Sequence, residues 1–178
     1  MIMSTKRVVT VVVMGVSGCG KSTIGARVAD ELGAEFIDAD DLHSADARAQ
    51  MSAGPPLTDD DRRPWLARVA HVAADHNKQG SSVVVACSAL RRIYRDQLRD
   101  GLRHDVIFLH LAGSAELISN RMSARSGHFM PAALLASQLE TLEPLQPDET
   151  GITLDASVSA DAVVRGAVFA VTQSAGQF

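Results

Sequence analysis

Cysteine is scarce in this chain: only Cys19 and Cys87 occur in 178 residues. Two are too few for a disulfide framework or a tetrahedral thiolate metal site, and the scarcity fits a reducing, cytoplasmic compartment. A bias of charge is missing as well. Against 17 basic residues stand 21 acidic ones, for a formal net charge of -4. That balance gives no electrostatic case for nucleic acid or an anionic membrane as partner, so any basic site must be a local cluster. No apolar run approaches the ~18 residues of a membrane-spanning helix. The longest, residues 8–14, is interrupted by Thr10 and suits a buried strand. The opening MIMSTKR has a basic flank, but polar, glycine-rich sequence follows too soon for a secretory signal. Repeats and low-complexity linkers are missing too. At this length a single domain over 1–178 is expected, with a real core.

What is present alternates. Residues 8–14 are β-branched and nearly continuously apolar, as in a strand covered on both faces. Ile24, Val28 and Leu32 recur at a four-residue spacing, which marks one face of a helix that Gly33 stops. A short strand at 35–38 ends in acids. Helices are expected over 40–51 and 59–77, separated by Gly54-Pro55-Pro56. Strands follow at 83–87, 106–111 and 152–154, and helices at 90–98, 115–122, 131–142 and 161–172. Residues 124–130 are basic, polar and glycine-containing, the composition of a mobile loop. Strands alternating with helices imply an α/β fold of parallel strands joined by right-handed crossovers.

The turn after the first strand reads GVSGCGKS, from Gly15 to Ser22. It satisfies G-x-x-x-x-G-K-[ST] in the strand–loop–helix context that gives the motif meaning. Gly15, Gly18 and Gly20 let the backbone fold around an anion, with the amides of Val16, Ser17, Cys19 and the first helical residues, through Thr23, available to face it. The helix start adds its positive end. Lys21 is placed to neutralise β- and γ-phosphate oxygens, and the Ser22 hydroxyl to ligate Mg²⁺. By chance the pattern arises in roughly 1% or fewer chains of this length. The ligand is therefore a nucleoside triphosphate, with ATP and Mg²⁺ as the expected pair.

Asp38 and Asp40 end the second strand, at the sheet edge where α/β ligands gather. Beside a triphosphate, Asp38 suits the metal or its waters, and Asp40 suits an acceptor hydroxyl as base or orienter. Helix capping by Asp40 or Asp41 is the bland alternative. Arg62 lies just inside a helix and could hold a carboxylate; a solvated helix start paired with residues 59–61 is the other reading. Trp65, the only tryptophan, reads as core rather than pocket wall. Cys19 and Cys87 read as small buried fillers.

Taken together, MGVSGCGKS, DADDLH (38–43), PLTDDDRRPWL (56–66), CSALRRIYRDQLR (87–99) and RSGHFMPAALLASQLETLEP (125–144) resemble the gluconokinase family of short phosphate-loop carbohydrate kinases. The resemblance runs in order over roughly residues 8–155. One departure is Ala39, where relatives often have glycine between the two acids. The resemblance implies a three-layer P-loop kinase fold similar to shikimate and nucleoside monophosphate kinases. It has a five-stranded parallel sheet, helices on both faces and a mobile lid at about 121–140. It further implies transfer of the ATP γ-phosphate to D-gluconate, giving 6-phosphogluconate, by a homodimer.

Among the residues, the resemblance implies that His43, Arg91 and His128 line the gluconate pocket beside Asp40, with Arg62 the first candidate for its carboxylate; Ser88, which follows the third strand, could donate to a hydroxyl. Gln138 either reaches the polyol or decorates its helix. Arg121 would lie against adenine or phosphates, and Arg125 would stabilise the transferred group together with Lys21. A solvated basic surface is the alternative for that cluster. The turn at 155–159 is where relatives cradle adenine. A kinase of another hydroxy acid such as shikimate, or a nucleotide-binding switch module, are the rival functions.

Overall fold

The computed structural model describes residues 7–54, 56–102, 105–124 and 132–175. Five parallel strands form one sheet: β1 (Thr10–Met14), β2 (Glu35–Asp38), β3 (Val83–Ala86), β4 (Val106–Ala112) and β5 (Gly151–Asp155), in the order β2-β3-β1-β4-β5. The helices are α1 (Lys21–Leu32), α2 (Ala45–Ala53), α3 (Asp59–Lys78), α4 (Arg92–Leu102), α5 (Ala115–Ala124), α6 (Ala132–Thr141) and α7 (Ala160–Ala175). The expected α/β class and the five-stranded parallel sheet are what the chain forms.

Each central strand is apolar on both faces because each face meets a helical layer. Val11 and Val13 of β1 join Ile107, Leu109 and Leu111 of β4 beneath Ile24 and Val28 of α1 and Val163 and Val164 of α7. Val12, Met14 and Phe108 point the other way, onto Trp65, Leu66 and Val69 of α3 and Tyr94 and Leu98 of α4. Burying each such side chain contributes about 1.5–3 kcal/mol, which is what drives the three layers together. Register pairs Val13 with Ala86 on one side and Leu109 on the other. The loops after β1 and β3 therefore leave the sheet side by side. Because the chain runs from β1 out to β2 and back to β3 before crossing to β4, those loops flank the switch point where α/β sheets bind ligands.

Two expected elements differ. The single helix over 40–51 is a 3-10 turn (Ala39–Leu42), then extended His43, then α2. Asp38 accepts from Asp40 N at 3.1 Å, and Ser44 accepts from Ala47 N at 3.1 Å; two caps start two short elements. The helix expected from residue 90 starts at Arg92, because Ala89 turns through a φ of 43°.

That turn is held by a buried ion pair. Arg95 and Glu149 are both fully buried at the side chain, with Nε to Oε1 at 2.6 Å and Nη2 to Oε2 at 2.9 Å. Arg95 also donates to the carbonyls of Ala89 (3.1 Å), Leu90 (3.3 Å), Glu143 (3.2 Å) and Pro144 (3.3 Å). One guanidinium thus ties the loop before α4 to the segment after α6.

Removing one partner from such a pair leaves a buried charge uncompensated. Glu149→Ala is expected to cost about 3–5 kcal/mol in urea unfolding. Arg63→Ala, which breaks an exposed pair with Asp60, is expected to cost about 0–1 kcal/mol. Equal costs would mean that the Arg95 site tolerates solvent.

Candidate active site

The phosphate loop follows β1 and ends where α1 begins. Gly20 caps α1 in a left-handed conformation, so the first α1 amides open toward the loop. Gly18 has a φ of +82°, and a Cβ there would meet Met122 Cγ at 2.5 Å. Glycine is thus required twice over, by backbone angle and by the approach of α5. Gly15 N donates to Ser88 O at 3.2 Å, which pins the loop's entry to the exit of β3. Lys21 Nζ lies 3.1 Å from Val16 O, folded back over the loop.

Ser22 and Asp38 are brought together. Ser22 Oγ donates to Asp38 Oδ2 at 2.6 Å, while Asp38 Oδ1 caps the turn that carries Asp40. The cap is therefore Asp38, not Asp40 or Asp41. Asp40 keeps a largely exposed carboxylate, 3.9 Å from His43 Nε2. Ser22 and Asp38 present two hard oxygens at one point, a donor set suited to Mg²⁺, which takes one or two protein oxygens plus phosphate and water. Among the described residues no group of three or more His, Cys, Asp or Glu is arranged to hold a metal.

His43 is nearly buried and stacks on Trp65, with ring centroids 4.2 Å apart and an interplanar angle of 13°. Trp65 Nε1 donates to Ala39 O at 2.7 Å, so Trp65 is core, as its place beside Pro64 implied, and also the platform for His43. Among the described residues His43 Nδ1 is buried without a hydrogen-bond partner. A buried polar atom of that kind is free to take a hydrogen bond from a ligand or water. Burial lowers the His43 pKa below its ordinary value, against the opposing pull of Asp40.

Three helix ends meet beyond it. Arg62 at the start of α3 and Arg91 just before α4 lie on the Tyr94 ring at 5.5 and 5.9 Å from its centroid. Arg91 pairs with Asp59 and, at 3.6 Å, with Glu143. Tyr94 Oη donates to Asp59 at 2.6 Å. That bond, together with Arg91, holds the Asp59 carboxyl below the usual range. Arg62 differs: its Nε donates to Leu57 O at 3.3 Å, and among the described residues it forms no ion pair. The alternative reading of an exposed helix start paired with residues 59–61 holds for Arg63, which pairs with Asp60; Arg62 makes no such ion pair, though its charge helps to hold the Asp59 and Asp61 carboxyls down. Ser88 is half-buried at the exit of β3.

Asp59, Tyr94 and Glu143 were not singled out from sequence. The three-residue spacing of Arg91 and Tyr94 was the available signal; Asp59 and Glu143 had none beyond their charge. Gln138 also surprises: Ser17 N donates to its Oε1 at 2.7 Å, and its Nε2 donates to Ser17 Oγ at 3.3 Å.

On the other side of the loop lies a pocket of about 160 Å³ lined by Thr23, Arg121, Ala156, Val158 and Val163 among others. Arg121 donates to Ala156 O at 2.5 Å. The turn at 155–159, which carried no chemical signature of its own, thus closes a mostly apolar pocket against the phosphate loop. Cys19 and Cys87 are buried and unpaired. Burial pushes the Cys19 thiol up, with Lys21 opposing, and pushes the Cys87 thiol up to about 12. Arg125 and His128 lie outside the described residues.

Comparison with known proteins identifies the family. The AAA domain family matches residues 10–145. The thermosensitive gluconokinase of Escherichia coli (strain K12) is 50% identical over 141 residues, 79% of this chain and 75% of that protein. A gluconokinase of Gluconobacter oxydans (strain 621H) is 44% identical over 153 residues, 86% of this chain and 85% of that protein. The crystal structure of a gluconokinase from Sinorhizobium meliloti 1021 superposes with a TM-score of 0.86 at 42% identity, covering 94% of each chain.

The lowered His43 pKa gives a pH signature. The folded chain prefers the neutral ring, so its contribution is complete above about pH 6.5 and is lost as pH falls through that value toward the depressed folded pKa. His43→Phe keeps the stack on Trp65 and cannot titrate. Urea midpoints measured from pH 8 to pH 5 should fall less for the variant than for the parent; parallel curves would place the His43 titration in solvent.

Proposed function

The chain belongs to the gluconokinase family, and from that premise we propose that it transfers the γ-phosphate of ATP to D-gluconate, giving 6-phospho-D-gluconate. The carrying observation is Asp38: one oxygen takes the Ser22 hydroxyl and the other takes the amide of Asp40. One residue therefore holds the donor side and aims the acceptor-side acid. The rival functions have no comparable support, since a shikimate kinase or a switch module leaves the identities above unexplained.

In this reading ATP lies along the phosphate loop, with its β- and γ-phosphates on the amides of Gly18 to Ser22 and its base in the pocket beside Arg121. Ser22 and Asp38 would hold Mg²⁺, which supplies charge neutralisation on the phosphates when bound. Lys21 swings from Val16 O onto the terminal phosphate. Gluconate sets its carboxylate on Arg62, whose guanidinium forms no ion pair among the described residues and lies over the Tyr94 ring beside Arg91. Arg91 and Ser88 meet its hydroxyls. The buried His43 Nδ1 is supplied with a partner by the polyol. The terminal hydroxyl reaches Asp40, which orients it and takes its proton as the phosphoryl arrives.

Arg125 and His128 complete the lid side, Arg125 on the transferred group and His128 on the sugar acid. Closure by the lid excludes water and so suppresses hydrolysis of ATP. We further propose a cytoplasmic homodimer. Support for the compartment is the pair of buried free thiols; support for the dimer is the resemblance. Among the described residues no helix is long and apolar enough to cross a membrane.

Asp40→Asn should lower kcat with gluconate by about 10²- to 10⁴-fold while leaving ATP affinity unchanged. Near-normal turnover would remove Asp40 from the base role. In a coupled assay across a panel of sugar acids, Arg62→Ala should raise the gluconate KM by about 10- to 100-fold, the loss of a charge-assisted pair, and leave the ATP KM unchanged. An equal rise in both constants would put the carboxylate elsewhere.

A further inference from the structure

Gln138 is placed on α6, 121 residues away in sequence from the loop residue it holds. Both polar atoms of its amide go to Ser17: Oε1 accepts from Ser17 N at 2.7 Å and Nε2 donates to Ser17 Oγ at 3.3 Å. Ser17 is the third residue of the phosphate loop. Its backbone N–H is thus turned onto a side chain rather than left for a phosphate oxygen. The segment that follows α6 is fixed to the acceptor side. Glu143 N donates to Leu90 O at 2.8 Å, the Glu143 carboxylate accepts from Arg92 N at 2.5 Å, and it sits 3.6 Å from Arg91 Nε. Leu135, buried in the core, keeps the helix from rolling. Glu143 lies two residues beyond the last residue of the helix, Thr141.

We propose that Gln138 is a positioning residue that sets the conformation of the phosphate loop through Ser17, and that the end of α6 is a strut between the donor and acceptor halves of the site. This rests on the kinase reading above and goes beyond it, since it takes Gln138 off the sugar acid. The physical argument is one of alternatives. A loop amide can face the phosphates or face away, and a loop rich in glycine has little preference of its own. Gln138 supplies that preference by giving the Ser17 N–H a fixed partner. Because Glu143 touches the loop that carries Arg91, the placement of Ser17 and that of Arg91 are set by one rigid segment. Gln138 touches no reacting atom in this account. Its effect appears in how well the terminal phosphate is aimed, where small misplacements cost rate heavily.

The test compares the parent with Gln138→Ala and Gln138→Met; methionine keeps the length and removes both hydrogen bonds. Steady-state kinetics with gluconate and ATP should show kcat lower by about 10- to 100-fold in both variants, with the gluconate KM unchanged. Titration with a non-hydrolysable ATP analogue and Mg²⁺ should show affinity weakened by about 2- to 10-fold, the loss of one or two hydrogen bonds. Circular dichroism melts establish that both variants fold. A rise in gluconate KM with kcat unchanged overturns the proposal and returns Gln138 to the sugar acid. Unchanged kcat and analogue affinity make the contact idle and overturn it too. A loss in Gln138→Ala that Gln138→Met restores reduces it to packing. If the parent binds the analogue but does not phosphorylate gluconate, the kinase reading fails, and the analogue titration alone still decides for or against Gln138.

Discussion

The Arg95–Glu149 pair is the constraint on which the acceptor side of this molecule hangs. Both charges are withdrawn from water, a placement that survives only when every lone pair and proton is matched. Arg95 matches its own with the Glu149 carboxylate and four backbone carbonyls from two separate segments. Glu149 takes a further bond from Gln146 N at 2.9 Å. These bonds fix the left-handed turn at Ala89 and delay the start of α4 to Arg92. Ser88 and Arg91 sit on either side of that turn. Their positions are consequences of a charge pair that no ligand touches.

Pairing with acids then sorts the arginines by role. Arg92 is bound bidentately by Asp148, at 2.9 and 2.8 Å, and also by Asp96, which leaves it a structural brace. Arg91 is neutralised by Asp59 and Glu143, so it offers direction and hydrogen bonds more than net charge. Arg62 shares the Tyr94 ring with Arg91 yet has no acid partner among the described residues. In a protein of net negative charge, a guanidinium beside an aromatic face and outside any ion pair is well placed to receive an anion.

Much of this was legible in the chain itself, for physical reasons. The phosphate loop demands glycine at backbone angles other residues resist, so its spacing survives as a pattern. The layered sheet is legible because strands covered on both faces must be apolar throughout. Asp38 and Asp40 could be located at the right edge, but only the fold showed that Asp38 serves both neighbours. Arg91, Arg92 and Arg95 look alike within five residues of one motif. What separates them is exposure, from none at the Arg95 side chain to 38% at Arg91, and exposure is decided by partners 32 to 56 residues away. Asp59, Tyr94 and Glu143 are hidden for the same reason: three helix ends must converge before they mean anything. The 40–51 segment misled because Ser44, a helix starter, sits inside a stretch of good helix formers.

Cys19 carries a consequence of a different kind. Its sulfur lies within the curve of the phosphate loop, 2.8 Å from where a side chain at Gly15 would begin, and the thiol stays protonated by burial. A small alkylating reagent in solution meets no thiolate while the loop keeps its shape. Modification must wait for the loop to open, so the pace of labelling at this sulfur is a clock for excursions of the loop, and a nucleotide seated on the loop stops the clock.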